Sequence, residues 1–186
     1  MSEKGINIDM TPVKSGERYF YVWSHRKNIG TPLDTGSMLM IAEFDPVHPE
    51  RLISEPKCLS RPLYGFENTE HTINNEGPYA FYYHNKIYLA YSGGDARGYL
   101  YAIGMLTAND GDDLCDLSVW EKAKTPIASF ATIPGEYGPG HNSFFWDRDQ
   151  NLWIAYHAVT SFEEKIVSSG MRRVYFEQDK TPRFDV

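Results

Sequence analysis

Three residues spaced widely along the chain have the chemistry of a general-acid site: Asp9, Glu76 and His141. Glu76 stands in Asn74-Asn75-Glu76-Gly77-Pro78. A glutamate followed by Gly-Pro is held at a turn ahead of a strand, because glycine lets the backbone approach closely and proline fixes the exit. A carboxyl group at a partly apolar rim, here with Tyr79 nearby, suits a general acid; the bland alternative is a turn glutamate with no role. Asp9 lies among Ile6, Ile8 and Met10, so it reads either as a turn residue before Thr11-Pro12 or as a second carboxylate that orients the first. His141, in Tyr137-Gly138-Pro139-Gly140-His141, has no second histidine at ligand spacing, so a direct zinc or iron site is not expected.

The elements that must position these residues come from a repeat. Arg18–Ser24 (RYFYVWS), Lys86–Ser92 (KIYLAYS) and Asn151–His157 (NLWIAYH) are versions of one short strand. Successive copies are roughly 65 residues apart, within reach of the larger propeller repeats. Each copy follows one of the three polar residues, which predicts that Asp9, Glu76 and His141 hold equivalent places around a shared axis. Aromatic and β-branched runs predict strands at Tyr19–Trp23, Met38–Phe44, Ala80–Tyr83, Ile87–Tyr91, Tyr99–Leu106, Ser143–Trp146, Leu152–Tyr156 and Val174–Glu177. His84-Asn85 reads as a hairpin turn, and Asp112–Trp120 as one helical turn at most. The expected fold is all-β: a single partial β-propeller domain over residues 1–186, with about three four-stranded blades. Three blades do not close a ring, so the chain is expected to be part of a longer protein or to pair with a second chain.

Composition removes several function classes. A net charge of -7 without a basic cluster argues against nucleic acid. No apolar run approaches the ~20 residues of a membrane span, and Met1–Thr11 lacks the apolar centre of a signal peptide. Cys58 and Cys115 are expected to be free thiols. Phosphate-loop, serine-elbow and calcium-loop patterns are missing. Aromatic residues make up 15% of the chain, which suits both strands and the stacking of sugar rings.

Taken together, Ile8–Pro12 with Tyr19–Ser24, Asn75–Pro78 with Ile87–Ser92, Tyr137–Ser143, Gly104–Asn109 and Leu114–Trp120 resemble glycoside hydrolase family 43 over almost the whole chain, and its arabinofuranosidase-like members most. The resemblance implies a five-bladed propeller that hydrolyses arabinose- or xylose-containing glycans with inversion. It implies Glu76 as general acid and Asp9 as the residue that orients it and helps keep it protonated. It places His141 near the axis, in some members beside a calcium ion reached through water. Asn75, Phe66 and Arg172 are the implied substrate contacts, although Phe66 stands where the family often has tryptophan and the register of Arg172 and Arg173 is open. The family's general base, an aspartate on the first blade, matches nothing in this chain. The rival expectation is therefore a catalytically inactive truncated propeller that at most binds glycan.

Overall fold

The computed structural model describes residues 5–161, 163 and 166–184. Three antiparallel four-stranded sheets follow one another along the chain, each in simple sequential order. Sheet one holds β1 (Gly5–Ser15), β2 (Arg18–Lys27), β3 (Met38–Glu43) and β4 (Lys57–Ser60). A small hairpin, β5 (Asn68–Thr69) with β6 (Thr72–Ile73), leads to sheet two: β7 (Asn75–Tyr83), β8 (Lys86–Gly93), β9 (Ala102–Asn109) and β10 (Glu121–Lys122). Sheet three comprises β11 (Tyr137–Trp146), β12 (Leu152–Val159), β13 (Val167–Phe176) and β14 (Pro182–Phe184). These are three blades of a partial β-propeller, and the repeated heptapeptides lie in the second strand of each blade, the third beginning one residue ahead of its strand.

Burial explains the strand patterns. Sheet two is covered on both faces: Ile87, Leu89 and Tyr91 of β8 pack with Phe20, Val22 and Ile41 of sheet one, while Tyr88 and Ala90 pack with Ile154 and Tyr156 of sheet three. Consequently β8 is buried from Ile87 to Gly93, whereas β2 and β12 alternate buried with partly exposed positions. The hairpin at His84-Asn85 has left-handed φ at both residues (44° and 58°), as a two-residue turn matched to strand twist requires.

The structure departs from the sequence-based strands: β4, β5, β6, β10 and β14 had no counterpart, and β7, β11 and β13 start several residues earlier than expected. β1 had no strand signal, since Pro12 interrupts it; as an edge strand it tolerates a residue with no N–H. β9 begins at Ala102 rather than Tyr99, because the amides of Tyr99 and Leu100 turn to the Glu70 carboxylate at 3.3 and 3.4 Å. In agreement with the single helical turn expected there, Asp112–Trp120 holds a 3-10 turn at Leu117–Val119, capped by Asp116, which accepts the Ser118 N–H at 3.0 Å. Among the described residues no helix is long and apolar enough to cross a membrane. Cys58 and Cys115 are both free.

The turn between β11 and β12 has a titratable anchor. Asp147 accepts the Trp153 indole N–H at 2.8 Å, the backbone N–H of Asn151 at 2.8 Å and that of Asp149 at 2.9 Å. These donors, led by Trp153, hold its pKa down to about 2. A depressed carboxylate contributes stability above its unfolded value near ~4, and that contribution is lost as pH falls through the folded value. The urea midpoint should therefore fall between about pH 4 and pH 2, and Asp147→Asn should lie below the parent at neutral pH with the gap closing in that window. A gap independent of pH would contradict this anchor.

Candidate active site

The first strand of every blade breaks register at its inner end. In β1 the pairing jumps between Ile8, opposite Ser24, and Thr11, opposite Val22. In β7 it jumps between Glu76, opposite Ser92, and Tyr79, opposite Ala90. In β11 it jumps between Gly140, opposite His157, and Ser143, opposite Ala155. The first extra residue of each bulge is left-handed: Asp9 at φ 57°, Gly77 at 57° and His141 at 50°. Glycine adopts this conformation freely, but for aspartate and histidine it is uncommon and concentrates at functional sites. The equivalent positions are thus Asp9, Gly77 and His141. Glu76 sits one residue earlier, in the place of Ile8 and Gly140, which corrects the repeat phase expected from sequence.

These three bulges meet. The Gly77 N–H is shared between Asp9 Oδ2 at 3.3 Å and Ser24 Oγ at 3.1 Å, and the Ser24 hydroxyl donates to Asp9 Oδ2 at 3.1 Å. The His141 ring lies against Gly77, so closely that a β-carbon there would meet Nδ1 at 3.4 Å. His141 Nε2 stands 3.9 Å from Asp9 Oδ1. The same latch recurs at the next blade, where the His141 N–H donates to Ser92 Oγ at 2.8 Å. The seventh residue of one repeat therefore receives the bulge amide of the following blade. Glu76 accepts the Tyr101 phenol hydrogen at 2.7 Å on Oε1. His157, the seventh residue of the third repeat, stacks parallel to Tyr101 (5.7 Å, 14°) and to His141 (6.3 Å, 12°). Burial, reinforced by the His141 charge, lowers the His157 pKa, so its imidazole is neutral at pH 7.

Asp9, Glu76 and His141 are thus brought to one end of the sheets. Other sequence-chosen residues are not free to join them. Asn75 is fully buried, accepting Ser60 Oγ–H at 2.8 Å and Lys122 Nζ at 3.3 Å, so it anchors β7 instead of meeting solvent. Phe66 is half-buried and packs against the core between sheets one and two, 6.5 Å from the Tyr91 ring. Arg172 is paired with Glu136 at 2.6 Å and donates to the Tyr156 phenol at 2.7 Å. Tyr101, Ser24, Ser92 and His157 were not singled out from sequence. The last three share the final place of the heptapeptide and so carried a visible signal, whereas Tyr101 carried none.

A hollow of about 940 Å³ opens on the outer face of sheet one beside Asp9 and is lined by Tyr21, Trp23, His25, Met40 and Leu52. Trp23 stands opposite the β1 bulge as Tyr91 and Tyr156 stand opposite theirs, and those two are buried between sheets. This hollow is therefore a blade face against which no sheet lies among the described residues. The outer side of sheet three is similarly bare, with Phe145, Met171 and Tyr175 exposed. Among the described residues no three His, Cys, Asp or Glu groups cluster to hold a metal. His141 and Asp9 fall far short of the six to eight oxygens calcium takes, so they do not fit direct calcium ligation.

The fold is thus a run of propeller blades whose inner strand ends bring Asp9, Glu76 and His141 together. The chain belongs to glycosyl hydrolases family 43, whose model matches residues 2–182. It is 28% identical over 190 residues to an extracellular exo-α-(1→5)-L-arabinofuranosidase of Streptomyces avermitilis, covering 97% of this chain and 38% of that one. It is 34% identical over 154 residues to the enzyme of the same name from Streptomyces chartreusis, covering 82% of this chain and 45% of the relative. Among solved structures, an α-L-arabinofuranosidase from Lactobacillus brevis superposes with TM-score 0.81 at 28% identity, over 97% of this chain and 56% of that one. A thermostable family-43 glycoside hydrolase gives 0.78 at 23% identity, over 97% and 58%. The chain thus spans less than half the length of these two curated relatives and a little over half that of these two structures.

Proposed function

We propose that this chain carries the acid half of an inverting glycoside hydrolase centre for arabinose- or xylose-containing glycans, terminal α-L-arabinofuranosides first among them. The observation that carries the reading is the meeting of Asp9, Gly77 and His141 beside Glu76, in a family-43 chain. In the proposed reaction, Glu76 gives its proton to the glycosidic oxygen as the bond from the anomeric carbon to that oxygen breaks, its electron pair passing to the leaving oxygen. Water attacks the opposite face and loses a proton to a carboxylate supplied from outside these 186 residues. Inverting pairs stand about 6.5–9.5 Å apart to admit that water. Asp9 orients the Glu76 strand end through Ser24 and the Gly77 amide, and His141 faces the sugar.

A second reading, a glycan-binding propeller without turnover, is favoured by the bare faces of sheets one and three, which leave the centre open on two sides. The names of the Streptomyces relatives support export of the parent protein. The separating experiment, run on the protein that also carries the base carboxylate, is hydrolysis of an alkyl α-L-arabinofuranoside, with the first anomer released followed by proton NMR. Turnover that gives the β-anomer and depends on Glu76 supports the hydrolytic reading. The α-anomer as first product, or turnover untouched by Glu76→Gln, overturns it; ligand retention without turnover selects the second.

A further inference from the structure

Tyr101 immediately precedes β9 and is completely buried, yet its hydroxyl is aimed at Glu76 Oε1, 2.7 Å away. Burial, then the Glu76 charge, raises the phenol pKa well above its ordinary value, so Tyr101 is a hydrogen donor throughout the working pH range. The ring cannot swing aside. Gly140 lies against it so tightly that any β-carbon there would collide with the ring, and the His157 imidazole stacks on it. The Ser92 hydroxyl, which accepts the His141 N–H, also hydrogen-bonds to the phenol. One serine therefore ties together the histidine and the tyrosine that flank the acid.

We propose that Tyr101 is the positioning residue that decides which oxygen of Glu76 carries the transferable proton. A neutral carboxyl has one O–H and one acceptor oxygen. With Oε1 held as the acceptor of the phenol hydrogen, the proton resides on Oε2, which has no protein partner competing for it among the recorded hydrogen bonds of the described residues. As that proton moves to the glycosidic oxygen, negative charge grows on the carboxyl group. The Tyr101 bond then becomes charge-assisted and stronger, so its contribution is larger in the transition state than in the bound substrate. The proposal rests on Glu76 being the acid, as argued above.

The experiment compares Tyr101→Phe with the parent, each in the protein that also carries the base carboxylate, on an alkyl arabinofuranoside and on its 4-nitrophenyl counterpart. On the alkyl substrate kcat should fall about 10- to 100-fold with KM little changed, the size of a lost charge-assisted hydrogen bond. The nitrophenyl substrate, whose leaving group needs little protonation, should lose much less. Equal losses on both, accompanied by a lower melting temperature, would mark a purely structural tyrosine and overturn the proposal. A second measurement needs no turnover. The Tyr101 hydroxyl proton should appear as a slowly exchanging downfield NMR signal, absent in Tyr101→Phe and displaced in Glu76→Gln. A signal unmoved by Glu76→Gln overturns the proposal even if hydrolysis proceeds. Failure of every form to cleave either substrate, with the displaced signal present, would instead sink the hydrolytic reading while leaving the tyrosine–glutamate contact standing.

Discussion

Glu76→Gln should lower kcat/KM on arabino-oligosaccharides by about 100- to 10,000-fold, the usual worth of a positioned general acid. Glutamine keeps the shape of the side chain and an oxygen to receive the Tyr101 hydroxyl, so folding is preserved and only the transferable proton is lost. The leaving group grades the effect. An unactivated sugar alcohol departs only if protonated, whereas nitrophenolate departs unaided, so the loss on the nitrophenyl glycoside should be smaller by at least about tenfold. The comparison is made with the same preparation, which removes differences in active fraction. A uniform loss would mean that Glu76 binds or shapes the site without donating a proton.

Lys122→Met should be the most destabilising single change near the site, at about 3–5 kcal/mol. Glu67 is fully buried, and its Oε1 receives Lys122 Nζ at 2.5 Å and the Tyr91 hydroxyl at 2.7 Å. Its Oε2 accepts the backbone amides of Leu63 and Tyr64 at 2.6 and 2.7 Å. Lys122 also donates to the Arg61 carbonyl and to Asn75, the first residue of β7 and the neighbour of Glu76. Burial lowers the Lys122 pKa and Glu67 opposes that shift, so each charge depends on the other. Removing only the lysine strands a carboxylate in the interior, which costs more than removing both. The double variant Lys122→Met/Glu67→Gln should therefore recover part of the loss in urea denaturation. A single-variant effect below about 1 kcal/mol would show that the pair is solvated and unimportant.

The blades were legible because β2, β8 and β12 bury alternate or successive apolar residues, and that burial is written directly into three similar heptapeptides. β1 was hidden because an edge strand can carry Pro12 and polar residues without losing its pairing. Asp9, Glu76 and His141 stood out because each precedes a heptapeptide, but counting along the chain could not see the bulges. A bulge adds a residue without changing strand spacing, so Glu76 seemed to share a phase that belongs to Gly77. The burial of Asn75 was hidden for a related reason. Adjacent strand residues point to opposite sides, so next to the half-buried Glu76 the neighbour Asn75 is an interior anchor. Tyr101 was out of reach because it lies in a connection, and its role depends on space left by Gly140, some forty positions away on another blade.

The sugar is expected at the junction of Asp9, Gly77 and His141, and not in the aromatic hollow on the flank of sheet one. An NMR titration with an arabino-oligosaccharide decides between the two locations. Selective shifts at the Gly77 amide, the His141 ring and the Tyr101 hydroxyl, with Tyr21 and Trp23 unmoved, are the predicted outcome. Shifts confined to Tyr21, Trp23 and Met40 would contradict it.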